Sequence, residues 1–201
     1  MARQQTASDE QILQAALRVI VRRGHDAFTL SDVAQEVGLS RAAIILRFKG
    51  TQALKLSLTA YIVERFVQAL RSLPVSRSGD GLLRFVAFIG GMISTPGSLT
   101  AFMRTYHVNV KDEQFARLEH RRTEAMREAI SQRMPALAIS HDSAVTAFFA
   151  HIGGSLMQWE VLSGTDARSY LVERTKEWLT LAHVAHDKHF IPAPVQSGAA
   201  A

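Results

Sequence analysis

Three basic side chains, Arg41, Arg47 and Lys49, flank a short apolar run in the segment GLSRAAIILRFKG, residues 38–50. Guanidinium and ammonium groups bind phosphate oxygens, and a guanidinium can also pair with two acceptors on a guanine edge. On a helix, Arg41 and Arg47 would lie about 60° to either side of Ile44, because each residue advances by about 100°. The spacing therefore predicts two cations beside a buried residue, a pattern that suits an anionic partner.

The rest of the same segment divides into a buried side and an apolar side that we expect to be exposed. Ile44 and Phe48 fall about 40° apart and define the buried side. Aliphatic side chains on the other side can contact thymine methyl groups, and alanines let a helix sit deep in a major groove. The alternative is that Ile45 and Leu46 pack on a neighbouring helix or subunit. The predicted DNA contacts are Thr29, Ser40, Arg41, Ala42, Ala43, Ile45, Leu46, Arg47 and Lys49.

The first 50 residues contain the helix signals needed to position these side chains. Ser8 and Gln11 form a predicted capping box, and Gly24 ends that helix. Thr29 and Ser40 are predicted to cap a second and a third helix. Three short helices with a tight turn before the last are typical of a helix-turn-helix.

The turn itself has the expected residue types. Ala34 is small where a second helix must cross closely, and Gly38 tolerates positive φ in the turn. Ile44, six residues later, supplies a buried branched side chain. The spacing thus favours a helix-turn-helix over about residues 31–50.

Residues 29–54, TLSDVAQEVGLSRAAIILRFKGTQAL, resemble the DNA-binding unit of the TetR family of transcriptional regulators. Residues 24–28 are similar to the family's usual lead-in. The similarity in sequence covers about residues 8–55, while the remainder is similar in architecture only. The resemblance implies a homodimer on a palindromic double-stranded DNA operator. It also implies a C-terminal domain whose small-molecule effector controls DNA affinity, most simply by releasing a repressor.

Composition agrees with a globular DNA-binding protein. The 201 residues are 47% hydrophobic and carry a net charge of +5, of which residues 1–55 contribute +3. The absence of cysteine excludes disulfides and thiolate chemistry. No apolar run reaches the roughly 18 residues of a membrane span, and the N-terminal residues lack the apolar middle of a secretory signal. We therefore expect a cytoplasmic protein with no membrane association.

Apolar spacings of three and four residues and only five prolines predict an all-α protein with nine helices. Later helices are expected near 81–94, 98–108, 111–133, 142–162 and 167–186, with breaks at Thr95-Pro96-Gly97 and Ser163-Gly164-Thr165. Pro74 and the SRSGD stretch mark the clearest boundary. The predicted domains are a DNA-binding domain, 8–68, a ligand-binding and dimerisation domain, 75–187, and a disordered tail, 188–201.

The second predicted domain is rich in bulky, soft side chains with three polar ones among them. Tyr106, His107 and His151 need hydrogen-bond partners if apolar residues surround them. We hypothesise a pocket for a mostly apolar or aromatic ligand with one or two hydrogen-bonding groups. The alternative is ordinary core. The predicted lining is Phe85, Phe88, Met92, Phe102, Met103, Tyr106, His107, Phe148 and His151.

The helix near 142–162 has more apolar surface than one helix face requires, and Gly153-Gly154 lie near its middle. A glycine inside a helix costs about 1 kcal/mol relative to alanine, and close approach of another helix can compensate. By analogy with the family, this helix and the last one form an isologous dimer interface. The alternative is packing within the monomer. The predicted interface is Phe149, Ile152, Gly153, Leu156, Trp159, Leu171, Trp178 and Leu179.

An enzyme is the first competing class of function. His107 and His151 have Tyr106 and Glu160 near them in sequence, yet no pair has triad or metal-ligand spacing. We therefore expect no catalytic residue, no metal and no cofactor.

The C-terminal histidines leave one metal alternative open. His183 and His186 could share a helix face and a metal ion, although cationic residues at a helix C-terminus explain them more simply.

The second competing class is a relative that has lost DNA binding and acts only as a ligand-binding or interaction module. It is motivated by Ile45, where the family usually has a tyrosine, and by Thr51, where it often has a lysine.

Overall fold

The computed structural model describes residues 7–24, 27–93, 98–162 and 165–192. Within these ranges it contains nine α-helices and no strand, so the predicted all-α fold is confirmed. The helices are α1 (Asp9–Arg23), α2 (Leu30–Val37), α3 (Arg41–Phe48), α4 (Thr51–Ser72), α5 (Gly79–Met92), α6 (Ser98–Asn109), α7 (Glu113–Arg133), α8 (His141–Leu162) and α9 (Ala167–Leu181).

Side-chain caps explain where several of these helices begin. Each cap oxygen accepts a hydrogen bond from a backbone N–H of the first turn, which would otherwise have no partner within the helix. At α1 the predicted capping box is complete, because the Gln11 side chain also accepts from the Ser8 backbone. The caps are Ser8, Thr29, Ser40, Ser78 and Asp166.

The C-terminal end of the chain differs from the prediction. Helix α9 ends at Leu181 instead of near residue 186, and His183 follows with φ 53°. Residues 188–192, predicted to be disordered, have a described conformation in which Phe190 packs on the core. The predicted breaks at 95–97 and 163–164, His25 and Asp26 of the lead-in, and residues 193–201 lie outside the described residues.

The chain forms two compact units. One comprises the residues up to Arg65 together with Thr105–Glu119, and the other comprises Phe66–Arg104 and the residues from His120 onward. The first has a core built largely from α1 to α4, and the second has a core built largely from α5, α7, α8 and α9. The functional limits 8–68 and 75–187 remain predictions.

Within the second unit, α5 packs closely on the start of α9 through Gly90. A Cβ atom at Gly90 would lie 2.5 Å from Cα of Arg168 and 2.8 Å from its backbone nitrogen. Real Cβ atoms do not approach backbone atoms so closely, so this packing requires glycine.

The same unit buries the guanidinium of Arg133, which is only 1% exposed. Its nitrogens donate to the carbonyls of Ala129, Leu73 and Pro74, the last two lying just beyond α4. The guanidinium carbon of Arg133, Cζ, lies 5.5 Å from the ring centre of Phe85. Burial lowers the pKa of Arg133, and carbonyl oxygens partly replace the water that it has lost.

Candidate functional site

The turn between α2 and α3 has the geometry that its sequence predicts. Gly38 adopts left-handed φ 68° and ψ 28°, and the Leu39 N–H donates to the Ala34 carbonyl at 2.9 Å. Ala34 and Ile44 are both buried in the core of the first unit. The spacing of Ala34, Gly38 and Ile44 therefore builds the turn and fixes α3 against α2.

The outer face of α3 is only partly as predicted. Leu46 is 76% exposed, and Arg41 and Ala42 are exposed as well. Ala43 and Ile45 are half-buried, and Ile45 packs against the core of the first unit. The alternative interpretation thus applies to Ile45, because its position on the helix lies at the edge of the buried side.

Two hydroxyl groups at the helix starts are already engaged with the backbone. Ser40 Oγ accepts from the Ala43 N–H at 3.1 Å, which leaves its proton able to donate to a phosphate. Thr29 Oγ1 accepts from the Asp32 N–H and also donates to an Asp32 carboxylate oxygen at 2.7 Å. Thr29 must therefore give up an internal hydrogen bond to donate to DNA, whereas Ser40 need not.

Ion pairs on α1 reduce the positive charge elsewhere in the first unit. Arg18 and Arg22 both pair with Glu36, at 3.1 and 3.0 Å, and Arg23 pairs with Asp32 at 2.8 Å. The hydrogen bond from Arg22, with that from Arg18, lowers the pKa of Glu36. The arginines of α1 are therefore largely neutralised by their own neighbours.

The cations of α3 differ from those of α1. Arg41 and Lys49 are exposed and form no ion pair with a described residue, and Lys49 ends α3 with φ 62°. Arg47 instead pairs with Asp9 at 3.2 Å and donates to the carbonyl of Ala7. The sequence predicted that Arg47 contacts DNA, and no sequence pattern indicated its ion pair with Asp9.

The predicted ligand residues do not form one group. Phe85 and Phe148 are fully buried core residues of the second unit, as the alternative reading held. Tyr106 and His107 belong to the first unit. The more accessible members in the second unit are the partly buried Phe88 and the exposed Met92, Phe102 and Met103.

His151 has the polar partner that its setting requires. Its Nε2 lies 3.3 Å from Oγ1 of Thr175, and its ring centre lies 5.7 Å from that of Phe148 and 6.0 Å from that of Trp178. Burial, and then the nearby charge of Arg174, lower the pKa of His151. The imidazole is therefore kept neutral at neutral pH.

This arrangement predicts a loss of stability in mild acid. Below the ordinary histidine pKa of about 6.5, the unfolded chain takes up a proton that folded His151 resists. Stability is then lost as pH falls through that value toward the lower folded pKa. We expect His151→Gln to reduce the fall in melting temperature between about pH 7 and pH 5. The exposed His107→Gln is the control, and an equal effect of both changes would contradict the argument.

Most of the predicted dimer residues pack inside the chain itself. Ile152, Leu156 and Trp159 of α8, with Leu171 and Leu179 of α9, are buried in the core of the second unit. Because they lie on the inner face of each helix, these five residues follow the alternative of packing within the monomer, and the interface itself stays a prediction. Phe149 and Trp178 are half-buried, and Gly153 is exposed.

An exposed stripe that the sequence pattern did not indicate lies on the opposite face of α8. Its members recur every three or four residues, so they line one side of the helix. A Cβ atom at Gly153 or Gly154 would meet nothing within 4 Å, so this face has no packing partner in the described chain. We call it the outer stripe, and it consists of Ala147, Ala150, Gly154, Met157 and Val161.

The C-terminal histidines do not share a helix, because α9 ends before them. His186 Nδ1 lies 2.9 Å from the Val184 carbonyl, and the Asp187 N–H donates to Asp80 at 2.7 Å. No group of three metal-ligating side chains occurs within the described ranges. In the described structure, this segment covers the start of α5.

Comparison with known proteins supports the assignment of the N-terminal helices as a helix-turn-helix unit. Residues 12–58 match the family model described as bacterial regulatory proteins, tetR family. An uncharacterised HTH-type transcriptional regulator, YerO of Bacillus subtilis, is 29% identical over 70 residues, which are 35% of this chain and 24% of that protein. The chain thus matches about a quarter of the length of that relative.

Similar solved structures extend the likeness to the whole fold. A TetR transcription regulator from Haloarcula marismortui has a TM-score of 0.71 and 16% identity, covering 88% of this chain and 98% of that one. A regulator from Saccharomonospora viridis in complex with choline has a TM-score of 0.66 and 19% identity, and the match covers 89% of this chain and 98% of that one.

The part of the chain that the structure describes has no helix long and apolar enough to cross a membrane. The proteins of the matched family and the similar structures are transcriptional regulators rather than enzymes. The helix-turn-helix and the match over residues 12–58 show an N-terminal unit of the tetR family of bacterial regulatory proteins, and the nine helices of the described residues have the fold of the similar solved regulators.

Proposed function

We propose that this protein is a ligand-responsive transcriptional repressor that binds a palindromic double-stranded DNA operator as a homodimer. The observation that carries the proposal is α3, which presents exposed Leu46, Arg41 and Lys49 on a buried helix-turn-helix frame. The basic residues bind the phosphate backbone, and Leu46 contacts a base edge. Such a protein acts on the chromosome, in the cytoplasm.

The C-terminal part of the chain, near 75–187, is proposed to bind the effector and to dimerise. Phe88, Met92, Phe102 and Met103 offer accessible apolar surface to a mostly apolar or aromatic molecule. Arg122 lies over the Phe102 ring, 5.0 Å from its centre. The similar regulator from Saccharomonospora viridis was determined in complex with choline, which supports the proposal that this chain binds a small-molecule effector.

A DNA footprint across the genome of the source organism is the direct test of operator binding. Discrete protected sites with two half-sites related by twofold symmetry are the expected result. The second candidate function is a module that binds a ligand or a protein but not DNA, which the inward packing of Ile45 favours. The absence of any protected site would support that second function.

Two substitutions on α3 should separate backbone binding from base recognition. We expect Arg41→Ala to weaken binding to all duplexes alike and to reduce the salt slope by roughly 2 per dimer, if each subunit loses one phosphate contact. Leu46→Ala should instead cost about 1 kcal/mol or more, mainly at the preferred sequence. Fluorescence anisotropy with a selected duplex and a random duplex measures both effects.

Arg84→Ala is the charge control, because Arg84 is exposed on α5 in the second unit. It should alter neither affinity nor specificity beyond a small screened effect. If Arg41→Ala and Leu46→Ala also bound both duplexes like the parent protein, α3 would not be the recognition helix.

A further inference from the structure

Asp9 brings a negative charge to the last turn of α3. Its Oδ1 lies 3.2 Å from Nε of Arg47, while another guanidinium nitrogen of Arg47 donates to the Ala7 carbonyl. Arg41 and Lys49, the other basic residues of this surface, form no ion pair with a described residue. Arg47 is thus distinguished from them by two partners that lie at the start of α1.

The pair is placed where DNA can compete for it. The Asp9 side chain is 68% exposed and that of Arg47 is 35% exposed, so water and salt screen their attraction. A phosphate group can accept two parallel hydrogen bonds from the same guanidinium, and it brings further contacts with neighbouring cations. A weak internal partner can therefore be exchanged for a stronger external one.

The start of α1 does not depend on this carboxylate. Ser8 and Gln11 complete the capping box, and Glu10 remains as an acid in the first turn. Glu10 accepts hydrogen bonds from Gln14 and Tyr61 and is not paired with Arg47. The charge of Asp9 can consequently be removed while the helix keeps its cap.

We infer that Asp9 competes with DNA phosphate for the Arg47 guanidinium and so limits the affinity of the protein for DNA of any sequence. The inference rests on the proposed function, because it requires α3 to meet a duplex. On binding, the pair either breaks, which costs its attraction, or persists, which leaves a carboxylate close to phosphates. Neither cost depends on the bases, so it applies equally to operator and to random DNA.

The experiment compares Asp9→Asn with Glu10→Gln, which removes the same charge one residue further along. Each change is made in the parent protein and in Arg47→Ala, and binding to a fluorescent 30-base-pair duplex of random sequence is measured at several salt concentrations. We expect Asp9→Asn to tighten binding roughly 3- to 10-fold in low salt, and Glu10→Gln to act more weakly. In the Arg47→Ala background the advantage of Asp9→Asn over Glu10→Gln should shrink, because the competition for the guanidinium is gone and only the repulsion between Asp9 and phosphate remains.

The outcomes separate this inference from the proposed function. If the parent protein binds the duplex but Asp9→Asn gains no more than Glu10→Gln, the inference is overturned and the proposed function stands. Weaker binding by Asp9→Asn would mean that the pair positions Arg47 for DNA, which also overturns it. If no variant binds duplex DNA, both fail. Melting temperatures of all variants establish that they are folded.

Discussion

Replacing Gly90 by alanine should lower the free energy of unfolding by about 3 kcal/mol or more. The new Cβ would lie 2.5 Å from Cα of Arg168, 2.8 Å from its nitrogen and 2.9 Å from the Ala167 carbonyl oxygen. All three are backbone atoms at the start of α9, so the overlap is relieved only by moving the helix. At roughly 2–4 °C per kcal/mol for a chain of this size, the melting temperature should fall by about 6–12 °C.

Gly91→Ala is the matched control, because it is the same change at the next position of α5. Its Cβ would lie 2.5 Å from Nη2 of Arg168, which is the far end of a flexible side chain rather than a backbone atom. The gain in helix propensity, about 1 kcal/mol, offsets much of the remaining cost. Equal melting temperatures for Gly90→Ala and Gly91→Ala would contradict the required closeness of α5 and α9.

The sequence predicted those parts of the fold that local rules determine. Ser8 with Gln11 and the caps Thr29 and Ser40 satisfy backbone groups within three residues, so they can be recognised without the rest of the chain. The spacing of Ala34, Gly38 and Ile44 is equally local. In contrast, the end of α9 was placed about five residues too late, because the segment after it packs on the distant start of α5.

The contacts of the α3 side chains were less predictable, because they depend on residues that are distant in the sequence. Helical geometry placed Arg41 and Arg47 symmetrically about Ile44, and it gave them the same expected role. The pairing of Arg47 with Asp9 joins residues 38 positions apart, which no spacing rule within α3 can reveal. A helical wheel predicts on which side of α3 Ile45 lies. It cannot show that Ile45 is half-buried in the folded protein.

Five of the predicted interface residues are buried within the single chain because α8 is apolar on more than one side. Large apolar side chains such as Ile152 and Trp159 were assigned to the interface, but they are buried in the core of the same chain. The outer stripe consists mainly of small residues, which carry little hydrophobic signal. Small residues nevertheless let two helices approach closely, so the two adjacent glycines of α8 would suit an interface between two copies of this helix.

Met157→Asp should convert the protein from a dimer to a monomer, if the outer stripe forms the proposed interface. Met157 is 62% exposed, so the carboxylate is hydrated in the single chain and should leave its stability unchanged. In an isologous dimer the substitution occurs twice, and each charge would be buried without a partner. We expect the dissociation constant of the dimer to rise at least about 100-fold, which corresponds to roughly 3 kcal/mol.

Sedimentation velocity from nanomolar to micromolar concentration measures this change against the chain mass of 22.2 kDa. Ile139→Asp is the control, because Ile139 is another exposed apolar residue, in the segment before α8. If the parent protein sedimented at the mass of one chain at every concentration, the proposal that it is a dimer would be contradicted. If Met157→Asp stayed as dimeric as Ile139→Asp, the subunits would meet elsewhere. Loss of the dimer should also weaken operator binding steeply, because a single chain can engage only one half-site.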